Sequence, residues 1–548
     1  MLETAVTPRT SQTKTQLEKA AYPVLTDSQL ARLEGAGRRE NLPKGHVLWE
    51  VGADSYDCFH VLSGSVDIID RTDGHTVVKL QAPNLIGELG LLMGQRTFFA
   101  GVVGEDADMI IVPNAKLREL IATDPELSDI IVTAFAARRR LILEWGEGRL
   151  TIIGDPKNRK TLELLQFATR SLVPHRFVDT GEPGWRDRVE HTCSLPDGQC
   201  LALIGKDEVL VDPETREVSA ALGLDLEAKA DKVFDVLVVG AGPAGLAASV
   251  YSASEGLDVI TIEDTAIGGQ AGTSSRIENY LGFPRGVSGA ELAYLGEVQA
   301  VKFGARFTVP RRASRLVRKS DHFAVELDDD SCIRARALIL ANGVQYRRLP
   351  LENLEALEGH GVYYAATELE ARFCKNTEAV IIGGGNSAGQ AAMFLSRHAK
   401  HVHLVVRRDG LSETMSSYLT SRIHSDPSIT LHTLSEVTAL AGSERLEGLT
   451  LTNRQTGTQT NIATTALFIM IGAAPNTEWL SGQIELDEKG FVKTGQSVGL
   501  HTRGYATSLP GVFAVGDIRS GSVKRVASAV GEGSVVVSAV HGYLADPT

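Results

Sequence analysis

Two glycine-rich turns, each set between an apolar run and a helical stretch, constrain this chain more than any other feature. In the first, the apolar run Phe234–Val239 leads into Gly240-Ala241-Gly242-Pro243-Ala244-Gly245. The first glycine permits a tight turn, Gly242 lets backbone amides approach a pyrophosphate, and Gly245 allows the helix to pack closely on the strand. The helix N-terminus adds a partial positive charge. The pattern predicts an α/β fold with a parallel sheet that binds an adenine dinucleotide.

An acidic residue follows the first turn at the distance that this fold requires. Glu263 ends the next apolar strand, 23 residues after Gly240. A carboxylate at about that distance accepts hydrogen bonds from the ribose hydroxyls of an adenine dinucleotide. Strand, turn, helix and acid together favour a binding site over a glycine-rich turn without a ligand.

A second copy of the pattern lies further along the chain. The strand Ala379–Ile382 precedes Gly383-Gly384-Gly385-Asn386-Ser387-Ala388, with alanine at the third glycine position, which the motif tolerates. The position equivalent to Glu263 is Val406, and Arg407-Arg408 follow it. Because guanidinium groups pair with a phosphate that a carboxylate would repel, we expect this site to prefer the 2′-phosphate of NADP. A pair of solvated surface arginines is the alternative interpretation.

Two dinucleotide sites on one chain predict two cofactors that face each other. The simplest pair is FAD held in the first site and NADPH visiting the second. We therefore expect an oxidoreductase in which hydride passes between the two cofactors, with no metal site.

Composition limits the partners and the location. The 548 residues, with a mass of 58.8 kDa, suffice for three or four domains. The net charge of −13 disfavours nucleic acid and anionic membranes as partners, and the apolar runs are too short to span a bilayer. Five cysteines are too few for a secreted disulfide framework, so we expect a cytoplasmic protein. Residues 1–21 lack a signal-like apolar core and are expected to be a disordered lead-in.

Two smaller modules are predicted before the glycine-rich turns. Residues 22–148 combine short β-like runs, punctuated by glycines, with a closing helical stretch, which predicts a β-roll with helices. The basic run Arg138–Arg140 in that stretch is expected to be a solvated helix face.

Residues 149–224 follow a thioredoxin-like order, and 225–232 are a charged linker. The expected order is strand Leu150–Ile153, helix Lys157–Ser171, strands Arg176–Val178, Leu201–Ile204 and Val209–Val211, and helix Glu214–Leu222.

From Val233 to Thr548 the chain resembles the low-molecular-weight thioredoxin reductases, a family of FAD- and NADPH-dependent flavoproteins. The shared motifs are Gly268-Gly269-Gln270, Ile277-Glu278-Asn279-Tyr280, Ala341-Asn342-Gly343, Pro475-Asn476-Thr477, Gly516-Asp517 and Lys524-Arg525-Val526-Ala527. The resemblance implies that the Gly-Asp pair holds the ribityl and phosphate part of the flavin and that residues 524–527 cover the isoalloxazine. It implies a discontinuous FAD-binding domain, 233–345 plus 474–548, around an NAD(P)H-binding domain, 346–473. It also implies a homodimer.

The redox cysteine pair of that family is missing. Ala365 and Glu368 occupy the two cysteine positions, and neither side chain can form a thiolate or a mixed disulfide. Cys374 is expected to be a buried structural cysteine. In the thioredoxin-like module the active-site turn, Gly154-Asp155-Pro156-Lys157, holds no cysteine. A pairing of Cys193 with Cys200 elsewhere in that module stays open.

Residues 22–143 resemble cyclic-nucleotide-binding domains. The stretch Gly87-Glu88-Leu89 and the later Arg96-Thr97 match the phosphate-binding cassette, although Phe98-Phe99 stand where small residues are usual. In that family the glutamate accepts the ribose 2′-hydroxyl and the arginine pairs with the cyclic phosphate, which would assign these roles to Glu88 and Arg96. A degenerate pocket in which Glu88 and Arg96 pair with each other is the alternative.

Three functions are consistent with these residues. The first is an NADPH-dependent FAD oxidoreductase that passes electrons to a ferredoxin-like protein, a quinone or a thioredoxin-like protein, with modulation by a cyclic nucleotide. The second is a thioredoxin-disulfide reductase that uses Cys193 and Cys200 or a partner's thiols. The third is a non-catalytic redox or ligand sensor built on the flavin.

Overall fold

The computed structural model describes residues 16–546, except 54, 72–73, 94, 146–149, 157, 190–197, 206–207, 225–231, 273, 275–276, 278, 348, 358–359, 365, 367, 413, 444, 481 and 500–503. Within the described part of the chain, no helix is both long enough and apolar enough to cross a membrane.

The first region is the predicted β-roll with helices. In its antiparallel sheet β3 lies between β6 and β4, while β5 pairs with β3, and β1 and β2 pair with β6. The elements are α1 (Gln16–Ala21), α2 (Asp27–Gly35), β1 (Arg38–Leu42), β2 (Val47–Trp49), β3 (Cys58–Ile69), β4 (Thr76–Gln81), β5 (Asn84–Ile86), α3 (Leu89–Met93), β6 (Ala100–Val112), α4 (Asn114–Thr123) and α5 (Pro125–Trp145).

The expectation of disorder up to residue 21 is wrong for residues 16–21, which form α1. Ala21 is fully buried and packs with Ala137 and Leu141 of α5. This apolar contact, which joins segments far apart in sequence, stabilises a helix too short to persist by itself. Residues 1–15 lie outside the described part of the chain.

The second region has the predicted thioredoxin-like order. Its four-stranded sheet runs β10-β9-β7-β8, with β8 parallel and β9 antiparallel to β7. The Asn158 side chain caps α6 by accepting a hydrogen bond from the Thr161 amide at 3.1 Å, so the helix begins slightly later than expected. The elements are β7 (Leu150–Gly154), α6 (Arg159–Arg170), β8 (His175–Asp179), β9 (Leu201–Ile204), β10 (Glu208–Val211) and α7 (Thr215–Leu222).

The first glycine-rich turn belongs to a seven-stranded sheet. Its order is β13-β12-β11-β16-β15-β14, with β27 paired to β16, and the strands β13, β12, β11, β16 and β27 are mutually parallel. The chain enters through β11 (Val233–Val239), α8 (Pro243–Ser254), β12 (Val259–Ile262), α9 (Gly269–Gly272), α10 (Gly289–Lys302), β13 (Arg306–Thr308), β14 (Ala313–Arg318), β15 (Phe323–Leu327), β16 (Cys332–Leu340) and β17 (Val344–Tyr346).

A second dinucleotide-binding unit is inserted after β17. It has a parallel sheet in the order β18-β25-β19-β20-β21 and an antiparallel sheet β22-β23-β24. Its elements are α11 (Leu354–Leu357), β18 (Val362–Tyr363), α12 (Glu368–Phe373), β19 (Glu378–Ile382), α13 (Asn386–Leu395), β20 (His401–Val405), α14 (Ser417–Ser425), β21 (Ile429–His432), β22 (Ser435–Ala441), β23 (Gly448–Asn453), β24 (Gln459–Ile462) and β25 (Thr464–Ile469).

The chain then returns to the first sheet through β26 (Ala473–Pro475), which pairs with β17, and completes it with β27 (Val512–Ala514) and α15 (Val526–Ala545). The antiparallel pair of β17 and β26 is thus the double connection between the two units. The buried apolar residues of the β-roll form one continuous cluster with those around α8, α10 and α15, so the N-terminal region shares a core with the first dinucleotide sheet.

Candidate cofactor site

The first glycine-rich turn has the shape of a phosphate cradle. A Cβ on Gly245 would overlap the Gly240 carbonyl oxygen, so this glycine is required by helix–strand packing. A Cβ on Gly242 would meet nothing nearer than the Gly269 Cα at 4.0 Å. The space above Gly242 is therefore left open at the N-terminus of α8, which suits an anionic pyrophosphate.

Glu263 lies at the end of β12, at the edge of this turn. Its Oε2 accepts a hydrogen bond from the Ala241 amide at 2.8 Å, and its Oε1 accepts one from the Thr265 amide at 3.2 Å. Burial of the side chain, with Asp264 beside it, raises the pKa of Glu263 to about 8. The carboxyl group thus joins the turn to the strand end and also lines the cavity there.

The C-terminal part of the chain closes the same site. The Gly516 amide donates to Glu532 Oε2 at 2.7 Å, and Arg519 forms an ion pair with Glu532 at 2.6 Å. Burial raises the pKa of Asp517, which lines the cavity. Helix α15 begins after Arg525, so its positive end faces the cavity.

The second glycine-rich turn repeats this geometry. A Cβ on Gly383 would overlap the Met470 carbonyl oxygen, whereas a Cβ on Gly385 would meet nothing within 4 Å. Asn386 Oδ1 accepts a hydrogen bond from the Ser416 amide at 2.7 Å, which fixes the start of α13. Space is again left open in front of a helix N-terminus.

Both turns open into one cavity of about 1810 Å³. Of the residues predicted for the two dinucleotides, Gly245 and Ala388 lie in the packing behind their turns. The others line the cavity: Gly240, Gly242, Pro243, Ala244, Glu263, Gly269, Gln270, Asn279, Gly516, Asp517, Arg525, Val526 and Ala527 on one side, and Gly383, Gly385, Asn386, Ser387, Arg407 and Arg408 on the other. A cavity shared by both turns fits two dinucleotides that meet.

An aromatic cluster that the sequence did not predict joins β18, α12 and β25. The Tyr363 ring stacks on Phe373 at 5.9 Å between ring centroids and packs against Phe468 at 5.4 Å. Burial raises the pKa of Tyr363, so its hydroxyl stays protonated. Ala365 lies outside the described residues, and Glu368 begins α12.

Two of the described cysteines, Cys374 near Glu368 in the sequence and Cys200 in the thioredoxin-like module, do not readily ionise to thiolates. Cys374 is fully buried, and burial raises its thiol pKa to about 12, which confirms the structural assignment. Burial, with Asp212 nearby, raises the pKa of Cys200 to about 11. Cys193 lies outside the described residues.

The N-terminal cassette is engaged by residues of its own chain. Glu88 Oε2 accepts hydrogen bonds from Arg139 Nη2 at 2.7 Å and from Arg139 Nε at 3.0 Å, so its ion-pair partner is a residue that neither interpretation named. Leu89 and Thr97 are buried. The side chain of Arg96 lies against Gly223 of the thioredoxin-like module, where a Cβ would overlap it.

The expectation that Arg138–Arg140 form a solvated face is wrong. Arg138 and Arg139 are 6% and 2% exposed. Arg138 donates to the carbonyl oxygens of Ala21 at 2.9 Å and Gly87 at 2.7 Å, and these acceptors make its burial possible.

The fold and the paired turns define a two-dinucleotide oxidoreductase, and comparison with known proteins agrees. Residues 234–533 match the pyridine nucleotide-disulphide oxidoreductase family, and residues 39–124 match the cyclic nucleotide-binding domain. The first match covers more than half of the chain, which therefore belongs to the pyridine nucleotide-disulphide oxidoreductase family.

The relatives match more than half of this chain. The thioredoxin reductase of Streptomyces clavuligerus is 36% identical over 314 residues, 57% of this chain and 94% of that protein. NADPH-dependent thioredoxin reductase 3 of Arabidopsis thaliana is 31% identical and covers 57% of this chain and 58% of that protein. The solved thioredoxin reductase of T. acidophilum has a TM-score of 0.53 at 29% identity and covers 58% of this chain and 100% of that one. The chain is an NADPH-dependent flavin oxidoreductase of this type, in a family that uses FAD and NADPH.

Proposed function

We propose that this chain delivers electrons from NADPH to an external acceptor without a redox dithiol of its own. The acceptor is a ferredoxin-like protein, a quinone or a thioredoxin-like protein. The observation that carries the proposal is that, in the sequence, Ala365 and Glu368 replace the family's two cysteines, and that the next cysteine along the chain, Cys374, is buried. FAD, when bound, supplies the chemistry, because it takes up a hydride and releases electrons singly or in pairs.

The protein's own residues bind and orient the two dinucleotides. We propose that Gly242 and Gly385, each at the start of a helix, leave room for the pyrophosphates, and that Glu263 orients the first adenosine. Arg407 and Arg408 supply the positive charge that selects a 2′-phosphate. Holding both reactants in one cavity makes the transfer between them effectively unimolecular.

An anaerobic NADPH titration of the purified protein, followed by flavin absorbance, tests this proposal. About one NADPH per FAD should bleach the flavin, because two electrons reduce one flavin. A requirement for about two NADPH per FAD would show a second redox centre and contradict the proposal. The Cys193→Ser/Cys200→Ser variant is the control, and its titration should match that of the unaltered chain.

The same titration identifies a disulfide reductase, and a turnover assay identifies a sensor. A disulfide reductase that uses Cys193 and Cys200 would consume about two NADPH per FAD in the unaltered chain and about one in the double variant. The raised pKa of Cys200 disfavours this route, since the thiolate is the attacking species. A non-catalytic sensor would be reduced stoichiometrically but show negligible turnover with ferredoxin, quinone and thioredoxin acceptors alike.

We further propose that the N-terminal module senses a sugar phosphate, a cyclic nucleotide being the first candidate. The supporting observation is that the Glu88 partner, Arg139, lies on α5, which packs on α10 of the flavin-side unit. Tyr294 Oη on α10 donates to the Ala136 carbonyl oxygen at 2.9 Å. Lys302 on α10 pairs with Asp129 on α5 at 2.6 Å. A ligand that engages Glu88 would thus act on a contact with the reductase.

Calorimetric titration with cAMP and cGMP tests the sensing proposal. Binding should be lost in Arg96→Gln, since the phosphate would lose its guanidinium partner. Coupling requires that the nucleotide change the rate or affinity of NADPH reduction of the flavin. Absence of binding at millimolar concentrations of both nucleotides would contradict the proposal.

The oligomeric state and location are proposed from the family resemblance and composition. We propose a cytoplasmic homodimer. Light scattering of the purified chain would check the dimer, since a mass of 58.8 kDa would instead indicate a monomer. Cell fractionation would check the location.

A further inference from the structure

A helix of the thioredoxin-like module forms one wall of the cofactor cavity. Five residues of α6 line this cavity and fall on one face of the helix: Arg159, Leu162, Glu163, Gln166 and Arg170. Leu164, Phe167 and Ala168 belong to the core of the module itself. The helix is therefore held firmly by its module while it presents another face to the cofactors.

Arg170 anchors the C-terminal end of α6 beside the first glycine-rich turn. Its Nη2 donates to the carbonyl oxygens of Gly269 at 3.0 Å and Ala266 at 3.4 Å. The backbone of Gly269 lies close to that of Gly242: a Cβ built on Gly242 would be 4.0 Å from the Gly269 Cα. The end of α6 is thus fixed at the segment that faces the pyrophosphate cradle.

A second connection joins the module to the strand end that carries Glu263. Arg216 of α7 pairs with Asp329 at 2.6 Å, and Asp329 also pairs with Arg311 at 2.6 Å. The Arg311 amide donates to the Glu263 carbonyl oxygen at 2.7 Å. The module is therefore tied both to residues 266–269 and, through Asp329 and Arg311, to the strand end at Glu263.

We infer that the thioredoxin-like module is part of the FAD site: α6 closes the side of the cavity at the first glycine-rich turn, and Gln166 faces the bound dinucleotide. In this role the module retains the cofactor and needs no thiol, in agreement with the cysteine-free turn at residues 154–157. The inference concerns FAD binding and holds for any of the proposed acceptors.

Charge substitutions on α6 test the inference because FAD carries a negative pyrophosphate. Gln166→Glu places a carboxylate in the cavity, and Thr169→Glu places the same charge on an exposed residue of α6 that does not line it. FAD would be removed from each full-length variant, and its dissociation constant measured by quenching of flavin fluorescence on rebinding. We expect Gln166→Glu to weaken FAD binding roughly three- to tenfold, with a smaller effect at high salt, and Thr169→Glu to leave it within about twofold.

Two further measurements keep the test decisive. Gln166→Lys should bind FAD at least as tightly as the unaltered chain, which separates charge from loss of packing. Titration with 2′,5′-ADP, a probe for the second turn, should give the same affinity in all variants. Equal FAD affinity of Gln166→Glu and Thr169→Glu would overturn the inference. A fall in 2′,5′-ADP affinity with unchanged FAD affinity would also overturn it, since α6 would then face the second site.

Discussion

Arg139 Nη2 lies 2.7 Å from Glu88 Oε2, and the Arg139 side chain is 2% exposed. The same nitrogen donates to Gln95 Oε1 at 2.9 Å, and the guanidinium carbon lies 5.1 Å from the centroid of the Phe98 ring. A buried guanidinium needs this set of partners, because an unpaired charge in the interior costs several kcal/mol. The pair therefore joins the cassette to α5 at the place where α5 meets the reductase.

Neutralising Glu88 should destabilise the β-roll. Glu88→Gln leaves the Arg139 charge buried without its carboxylate, so we expect a loss of about 3 kcal/mol in the free energy of unfolding. Urea unfolding can be followed by Trp49 fluorescence in a background where the other three tryptophans are phenylalanine. Glu40→Gln is the matched control, because the pair of Glu40 with Arg38 is largely exposed and should contribute less than about 0.5 kcal/mol. Equal stabilities for the two variants would contradict the prediction.

Stability should fall as pH rises through the titration of Glu297. Burial raises the pKa of this α10 carboxyl from 4.5 to about 7, although the Arg139 charge opposes the shift. The folded state then binds a proton that the unfolded state has released, so the free energy of unfolding decreases by roughly 3 kcal/mol between these pH values.

Glu297→Gln should remove that decrease, making the variant more stable than the unaltered chain at pH 8 but not at pH 4. The measurement is urea unfolding across this pH range. Glu291→Gln, on the same helix and paired with Arg140, serves as the control and should keep the pH profile of the unaltered chain. A profile of Glu297→Gln that parallels the unaltered chain would show that this carboxyl is not responsible.

Local pattern was enough to predict both glycine-rich turns and the strand and helix on either side of each. A strand, a glycine-rich turn and a helix are specified by neighbouring residues, so Gly240–Gly245 and Gly383–Ala388 were found with their strands. The order of elements in residues 149–224 was predicted for the same reason. The start of α6 shifted by two residues because Asn158 caps the helix.

Contacts between distant segments were not predictable in this way. The burial of Arg139 depends on Glu88, which is 51 residues away, and a basic run alone carries no sign of that partner. Phe98 and Phe99 stand where the cassette usually has small residues, and both are buried in the core of the thioredoxin-like module. The residues of α6 that line the cavity could not be predicted for the same reason, because they are determined by how the modules pack against each other.

Alanine at Gly242 should weaken FAD binding, whereas alanine at Gly245 should impair folding. At Gly242 the added Cβ meets no protein atom nearer than 4.0 Å, so the chain should fold but lose the space for the pyrophosphate and bind FAD at least about tenfold more weakly. At Gly245 the Cβ would overlap the Gly240 carbonyl oxygen, so folding itself should suffer. Circular dichroism of the apo-proteins and FAD titration distinguish the two. A Gly242→Ala protein with normal FAD affinity would show that the cradle is elsewhere.

Removing both Arg407 and Arg408 should change the choice of nicotinamide. Each guanidinium can form charge-assisted hydrogen bonds to a 2′-phosphate, so the double alanine variant should lose about 10- to 100-fold in the efficiency of flavin reduction by NADPH. Reduction by NADH, which lacks that phosphate, should change little. The measurement is anaerobic stopped-flow absorbance of the flavin at several concentrations of each nucleotide. Arg397→Ala removes an exposed arginine that does not line the cavity and should leave both rates unchanged. If NADPH and NADH lose efficiency equally, the two arginines act on a part common to both nucleotides, and the assignment of the 2′-phosphate to them is wrong.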